Sequence, residues 1–221
     1  MTDAQSLFET AHTLMRQSSG GAQLTKAAEM MKQAADAGHI GAANNYGAML
    51  QHGRGVLLDL TQSRDYYEIA ARAGSPVGQF NYGFMWLHGQ GGDKDVAEAR
   101  RWFVLAAEHN EADALTHLGR MAMIGEGGVQ DFKAAYQYWT DGALEASDSR
   151  CAFNLGIACA GGHGAPPDFI GALAWFKLAD ALGNENAGAE IAKITRVMSE
   201  DEQAAAHDRY CHIRANCDAF N

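Results

Sequence analysis

The sequence predicts an all-α protein, an α-solenoid of about five helix–turn–helix repeats followed by a C-terminal capping helix. The first observation is a glycine that recurs after 36, 36 and 37 residues, at Gly47, Gly83, Gly119 and Gly156. The second is a G-x-G motif that starts six residues after each of these glycines, at Gly53, Gly89, Gly125 and Gly162. The third is an aspartate and then an aromatic pair at fixed distances beyond each motif. A period of this length is the signature of a repeat architecture.

The first helix of each repeat is predicted to end at the glycine loop. In the repeat that contains residues 77–88 this helix stops at a glycine pair, because glycine adopts a positive φ without steric cost. The recurring glycine in the middle of the helix costs about 1 kcal/mol relative to alanine. Its presence in four repeats therefore predicts a close approach of the paired helix.

The second helix of each repeat is predicted to start at the aspartate and to be amphipathic. The aspartate accepts a hydrogen bond from the first turn, which stabilises the helix by about 1 kcal/mol. Residues 95–109, for example, have apolar side chains at i, i+3 and i+4 spacing. The four aspartates are Asp59, Asp95, Asp131 and Asp168. The aromatic pairs are Tyr66 with Tyr67, Trp102 with Phe103, Tyr138 with Trp139, and Trp175 with Phe176.

The two ends of the chain depart from the regular pattern. A degenerate repeat comes first, with a predicted helix over residues 4–17 and a turn formed by Ser18, Ser19, Gly20 and Gly21. After the fifth repeat, residues 187–198 start another first helix, and a capping box from Ser199 to Glu202 starts a final helix over residues 200–214. Solenoids need such a terminal cap to cover their last apolar face. The predicted repeats are about 4–38, 41–74, 77–110, 113–146 and 149–183, with the cap at 184–221, in a single repeat domain over residues 1–221.

The pattern A-x-x-N-[LY]-G-x-x-x-x-x-G-x-G-x-x-x-D resembles the Sel1-like repeat family, which is related to the tetratricopeptide repeats. The resemblance covers about residues 22–183, and the run AFNLG at residues 152–156 carries it most clearly. It implies a right-handed superhelix in which the first helices line a concave face, as in adaptor and scaffold proteins. Some secreted relatives have a regular cysteine pair that bridges neighbouring helices. This chain lacks that pair, which favours a reducing compartment.

A concave face lined by first helices predicts the residues that meet a partner. They lie three and two positions before the recurring glycine and one position after it, with one arginine beside them. These residues are Asn44, Asn45, Phe80, Asn81, Phe84, Thr116, His117, Arg120, Arg150, Phe153, Asn154 and Ile157. The asparagine side chains can donate to and accept from a peptide backbone. The alternative is that they hold the neighbouring repeat, because buried polar groups are normally paired internally.

Phe80 and Phe84 lie at i and i+4, on one face of one predicted helix. The hypothesis is an apolar groove, flanked by Arg120 and Arg150, for an amphipathic helix or a hydrophobic peptide. The alternative is that the phenylalanines pack between adjacent first helices.

Composition narrows the classes of partner. The chain has 27 acidic and 17 basic residues, a net charge of −10, and no basic patch, which argues against a nucleic-acid partner. No stretch approaches the length of apolar sequence that crosses a membrane. We therefore expect a cytoplasmic protein with no membrane insertion, and a monomer is favoured over an oligomer.

Catalysis and cofactors find no support in the sequence. The G-x-G motifs lack the spacing and the lysine of phosphate-binding loops. His52 and His88 are equivalent positions in different repeats, so they do not form a metal-ligand pair. The four cysteines form no C-x-x-C motif, and free thiols that are largely buried are expected. We expect no catalytic residue, no metal and no cofactor.

The leading hypothesis is an adaptor or scaffold that binds a peptide segment or an amphipathic helix on its concave face. The first alternative is a dedicated inhibitor or immunity-type protein that neutralises a toxin or effector with the same face. An enzyme is the third class, and its site would have to lie in residues 184–221, outside the repeat framework.

Overall fold

The computed structural model describes residues 3–17 and 21–219, and the side chains of these residues up to 217. Within these ranges the chain forms twelve helices and no strand. The predicted turn residues Ser18, Ser19 and Gly20 lie outside the described residues. The predicted all-α fold is confirmed.

The helices alternate between first and second members of successive pairs. The first helices are α1 (Ala4–Gln17), α3 (Ile40–His52), α5 (Pro76–His88), α7 (Ala112–Ile124), α9 (Ser149–Gly161) and α11 (Ala187–Thr195). The second helices are α2 (Gly21–Asp36), α4 (Leu60–Arg72), α6 (Val96–Ala107), α8 (Phe132–Leu144) and α10 (Phe169–Ala181). The final helix is α12 (Glu200–Ala219), which runs five residues beyond the predicted end at residue 214.

Two compact units divide the chain, Met1–His109 with α1 to α6 and Asn110–Asn221 with α7 to α12. In the first unit α2 packs against α1 and α3, and α4 packs against α3 and α5. In the second unit α8 packs against α7 and α9, and α10 packs against α9 and α11. Each of these second helices thus joins its own pair to the next one, which is the stacking of a solenoid.

The predicted helix ends are confirmed at every regular repeat. The first glycine of each G-x-G motif has a left-handed φ between 63° and 74°, and at Gly53 the N–H donates to the carbonyl of Met49. All four aspartates accept a hydrogen bond from a backbone N–H of the helix that they start. For Asp59 that donor is the N–H of Gln62, at 2.9 Å.

The recurring mid-helix glycine is where the two helices of a pair approach each other. A Cβ atom at Gly47 would lie 2.9 Å from the ring of Tyr67, and one at Gly83 would lie 2.9 Å from the ring of Phe103. Gly119 meets Trp139 and Gly156 meets Phe176 in the same way. The predicted close approach is therefore confirmed, and the group that fills the space is the second aromatic residue of each pair.

The final helix closes one end of the core of the second unit. Ala206 is fully buried in a cluster with Phe176 and Ile194. The predicted capping box is present, because the N–H of Ser199 donates to the carboxylate of Glu202 and the N–H of Glu202 donates to the Ser199 hydroxyl. The helix packs against α10 and α8, as expected of a terminal cap.

None of the described helices is both long enough and apolar enough to span a lipid bilayer.

Candidate partner-binding face

The predicted binding residues lie on one surface of the first helices, next to the surface that contacts the paired helix. We call this surface the first-helix face. The mid-helix glycine points at the second helix, and positions −3, −2 and +1 from it are centred about 100° round the helix. In the first unit the face consists of Asn44, Asn45, Phe80, Asn81 and Phe84. In the second unit it consists of Thr116, His117, Arg120, Arg150, Phe153, Asn154 and Ile157. None of these twelve residues is fully buried.

Two asparagines join neighbouring first helices in the first unit. The Asn81 side-chain amide donates to the side-chain carbonyl of Asn44 at 2.8 Å, between α5 and α3. Among the described residues the Asn44 amide and the Asn81 carbonyl make no further hydrogen bond. A donor and an acceptor therefore stand beside each other, which is the complement of one peptide group.

Phe80 and Phe84 are half-buried and differ in their roles. The ring of Phe80 stacks on Phe103 of the paired helix, with centroids 5.4 Å apart. The ring of Phe84 lies 6.1 Å from that of Phe80 and 4.3 Å from that of His88. Phe80 thus contributes to the packing of its own helix pair, a role that the sequence did not indicate. Phe84 continues the apolar surface along the face.

Phe153 repeats the arrangement of Phe80 in the second unit. Its ring lies 5.5 Å from that of Phe176, on the paired helix. Ile157, one turn further along α9, keeps 41% of its surface exposed. The face of the second unit therefore also has an anchored aromatic ring followed by a more exposed apolar side chain.

A cavity of about 270 Å³ brings together four of the predicted residues in the second unit. Its lining consists of Thr116, His117, Arg120, Trp139 and Asn154. The indole N–H of Trp139 donates to the carbonyl of Thr116 at 3.2 Å, so the floor is held in place. Burial lowers the pKa of His117 below its ordinary value, which keeps the imidazole neutral at neutral pH.

The two predicted flanking arginines are neutralised by carboxylates of the protein itself. Arg120 pairs with Glu126 at 2.7 Å. Arg150 pairs with Asp113 and with Asp148, each at 2.6 Å, and these hydrogen bonds raise its pKa. Neither guanidinium group therefore offers an uncompensated positive charge to a partner.

Sequence reasoning missed a second cavity, of about 250 Å³, on the face of the first unit. It is lined mainly by His12, Met15, Asn45, Met49, His52 and Arg54, of which only Asn45 was predicted. The repeat register contained a signal for this cavity. Ala48 directly follows the mid-helix glycine Gly47, and His12 occupies the equivalent position 36 residues earlier.

Thiols and possible metal ligands are separated from one another. Cys151, Cys159 and Cys217 are buried and Cys211 is exposed, and all four are free. Burial raises the pKa of Cys151 to about 12, so this thiol stays protonated at neutral pH. Within residues 3–17 and 21–219, no group of three or more His, Cys, Asp or Glu side chains is placed to hold a metal ion.

Helix pairs that repeat with the same loop, the same cap and the same glycine contact define an α-solenoid of helix–turn–helix repeats. The Sel1 repeat model matches residues 13–39, 40–75, 76–111, 112–143 and 149–184. The chain belongs to the Sel1 repeat family.

Solved structures agree with this assignment. A Sel1 repeat protein from Oxalobacter formigenes is 31% identical, with a TM-score of 0.79 over 97% of this chain and 88% of that protein. A protective antigen of uropathogenic Escherichia coli is 23% identical, with a TM-score of 0.82 over 96% of this chain. The chain spans 46% of the length of that antigen. An immunity protein of Pseudomonas aeruginosa is 17% identical, with a TM-score of 0.60 over 99% of this chain and 84% of that protein. Among curated proteins no sequence matches significantly.

Proposed function

We propose that the protein is an adaptor or scaffold that binds a peptide segment or an amphipathic helix of a protein partner on its first-helix face. The observation that carries the proposal is the Asn44–Asn81 pair beside Phe84. It sets a hydrogen-bond donor, an acceptor and an apolar ring on one side of two adjacent helices. A peptide bound there pairs its backbone with the amides and places apolar side chains on the ring.

The cavity of the second unit supports the same proposal. Its Asn154 makes no side-chain hydrogen bond among the described residues, and its floor is an indole ring fixed by Thr116. A polar rim around an aromatic floor is typical of a pocket that receives one side chain of a partner.

The experiment begins with affinity capture of the partner from the native organism, followed by its purification. The affinity of the pure partner is then measured by calorimetry for the wild-type chain and for Phe84→Asp. The aspartate puts a charge on the apolar part of the face, so we expect a loss of about tenfold or more.

The matched control is Ile69→Asp. Ile69 lies on the second helix α4 of the same unit and is 51% exposed, so the same chemical change falls outside the face. The control is expected to bind as the wild type does. Unchanged affinity of a folded Phe84→Asp variant would remove the face of the first unit from the proposal.

The alternative is a dedicated inhibitor or immunity-type protein. Its support is that two immunity proteins of Pseudomonas aeruginosa have the same fold, at 16% and 17% identity. Co-expression with the product of a neighbouring gene separates the two functions. An immunity protein rescues growth from a toxic neighbour, and the rescue is lost in Phe84→Asp, whereas an adaptor has no toxic neighbour to neutralise.

A catalytic role is not part of the proposal. Sel1 repeat proteins are in general scaffolds without catalytic activity, and the features that carry the proposal are those of a binding surface.

A further inference from the structure

The cavity between α1 and α3 differs in charge from the rest of the first-helix face. Three basic or potentially basic side chains, those of His12, His52 and Arg54, stand exposed around it. No carboxylate is among its described lining residues. The chain as a whole carries a net charge of −10, so a cavity with an arginine and no carboxylate in its lining is an exception to its composition.

Comparison of two repeats shows what Arg54 lacks. Arg54 is the middle residue of its G-x-G motif, and the equivalent residue two repeats later is Glu126. Glu126 pairs with Arg120, which directly follows the mid-helix glycine. The residue equivalent to Arg120 in the repeat of Arg54 is Ala48, and it lines the same cavity. One repeat thus contains both partners of an ion pair, whereas the other contains only a cation.

No carboxylate of the described residues compensates for this cation. Within residues 3–17 and 21–219, Arg54 makes no side-chain hydrogen bond and no ion pair. The nearest acidic residue along α1 is Glu9, one turn before His12, and its carboxylate accepts a hydrogen bond from Gln5 at 2.8 Å. The guanidinium fork of arginine matches the geometry of a carboxylate.

The floor of the cavity is apolar. Met15, Ala48 and Met49 form it; Met49 belongs to the buried core cluster of the first unit and Met15 packs against that cluster. Methionine side chains adapt to apolar groups of different shapes. Beside the floor stands Asn45, whose side-chain amide makes no hydrogen bond among the described residues.

From this combination we infer that the cavity binds the C-terminal residue of the partner segment, with its carboxylate on Arg54, His12 and His52 and an apolar last side chain on the methionines. The inference rests on the proposed function, since the cavity adjoins the first-helix face and shares Asn45 with it. Asn45 then bonds the last peptide group, and Asn44 and Asn81 bond an earlier peptide group on the face of the first unit.

A C-terminal residue fits this site better than an internal aspartate or glutamate. In a C-terminal residue the carboxylate and an apolar side chain leave the same Cα atom, so both reach their own part of one small cavity. An acidic side chain satisfies the arginine but leaves the methionine floor without an apolar partner. The floor and the rim together therefore select the end of a chain.

The test uses three acetylated octapeptides of alanine, serine and glycine. The first ends in leucine with a free carboxylate, the second is the same peptide with an amidated end, and the third is amidated and contains an internal glutamate. Binding of each at millimolar concentration is followed by NMR on the isotope-labelled full chain. We expect the amidated and the glutamate peptides to bind about tenfold more weakly than the free acid, with shifts at Asn45 and Met49.

Two variants make the assignment specific. Arg54→Gln introduces the residue that the next repeat has at the same place, Gln90, so the loop is expected to fold. It should reduce the affinity for the free acid to that for the amide. Lys26→Gln removes one positive charge from the exposed surface of the second helix α2 and should leave binding unchanged.

The inference is overturned by equal binding of the acid and the amide, by tighter binding of the glutamate peptide, or by no binding of any peptide. These outcomes leave the proposed function standing, because that function is judged by Phe84→Asp against the purified partner. If instead Phe84→Asp has no effect on the affinity for the partner while Arg54→Gln abolishes binding of the free acid, the cavity is a C-terminal binding site. The face of the first unit around Phe84 is then removed from the proposed function.

Discussion

At the residue scale, the first helices are shaped by glycines that leave room for an aromatic ring. The hydroxyl of Ser63 adds a hydrogen bond at the same place, because it donates to the carbonyl of Gly47 at 2.8 Å. The contact joins the two helices of a pair and so determines which side of the first helix remains for a partner.

We predict that Gly119→Ala destabilises the second unit. The new Cβ atom would overlap Trp139, whose indole N–H also donates to the carbonyl of Thr116. Overpacking of this kind costs about 1–3 kcal/mol, more than alanine gains in helix propensity. Urea unfolding should show a lower midpoint.

The control for this prediction is Gly188→Ala on α11, where a Cβ atom meets nothing within 4 Å. Its midpoint should stay the same or rise slightly. Equal midpoints for the two variants would contradict the proposed role of the mid-helix glycine.

The thiols give a second prediction at this scale. Burial raises the pKa of Cys151 to about 12 and also raises the pKa of Cys159, and the reactive form of a thiol is the thiolate. Cys217 is buried as well, and Cys211 is exposed, so alkylation of the native protein at mildly alkaline pH should label Cys211 alone among the four cysteines. Mass spectrometry of the digested protein checks this, and rapid native labelling of Cys151 would show that its helix is not packed as described.

At the scale of the helices, the ends follow from local chemistry and the contacts between repeats do not. The aspartate caps and glycine stops were predictable because each involves atoms a few residues apart. Arg64 was not: it is 8% exposed, its guanidinium lies 3.7 Å from the ring centre of Trp86, and it donates to the carbonyl of Asp93. Those partners belong to the next repeat, and Gly92 supplies the space, so no local pattern indicates the contact.

We predict that the cap of α8 contributes through its hydrogen bond rather than through its charge. Asp131 accepts from the N–H of Ala134 at 2.9 Å. Asp131→Ala should lower the free energy of unfolding by about 1 kcal/mol, and Asp131→Asn should lower it much less. Equal losses in the two variants, measured by urea unfolding, would mean that the carboxylate acts mainly by its charge.

The final helix yields a sharper prediction because two adjacent alanines lie in opposite environments. Ala206 is fully buried against the cluster that contains Phe176, whereas Ala205 is exposed. Ala206→Asp buries a charge without a partner and should lower the melting temperature of the second unit strongly. Ala205→Asp has the same helix propensity cost and should lower it only slightly. Similar effects would show that α12 does not serve as the cap.

At the scale of the whole molecule, the fold was predictable and the binding surface only in part. The repeat register alone predicted the helix pairs. The same contacts recur in each pair, so the same residue types recur at the same positions of the sequence. The face was predicted as a set of positions, and the structure leaves all twelve partly accessible. The charge of the face was not predictable, since Arg120 and Arg150 are neutralised by Glu126 and Asp113 through contacts that depend on side-chain placement.

The cavity of His12, His52 and Arg54 was missed for a related reason. His12 alone occupies a face position of the repeat register, whereas His52 lies at the end of a first helix and Arg54 in a loop, so no single position of the repeat indicates all three. Only the stacking of α1 beside α3 brings them to one place.

Site-specific photo-crosslinking tests the claim that the partner binds the first-helix face most directly. Benzoylphenylalanine is placed at positions 84 and 157 on the face and, as matched controls, at positions 69 and 169 on second helices, where exposed apolar residues also stand. Irradiation of cells that express each variant should give a crosslink to one and the same partner from 84 or 157 and none from 69 or 169. A crosslink to that partner from the second-helix positions, with none from the face, would contradict the account.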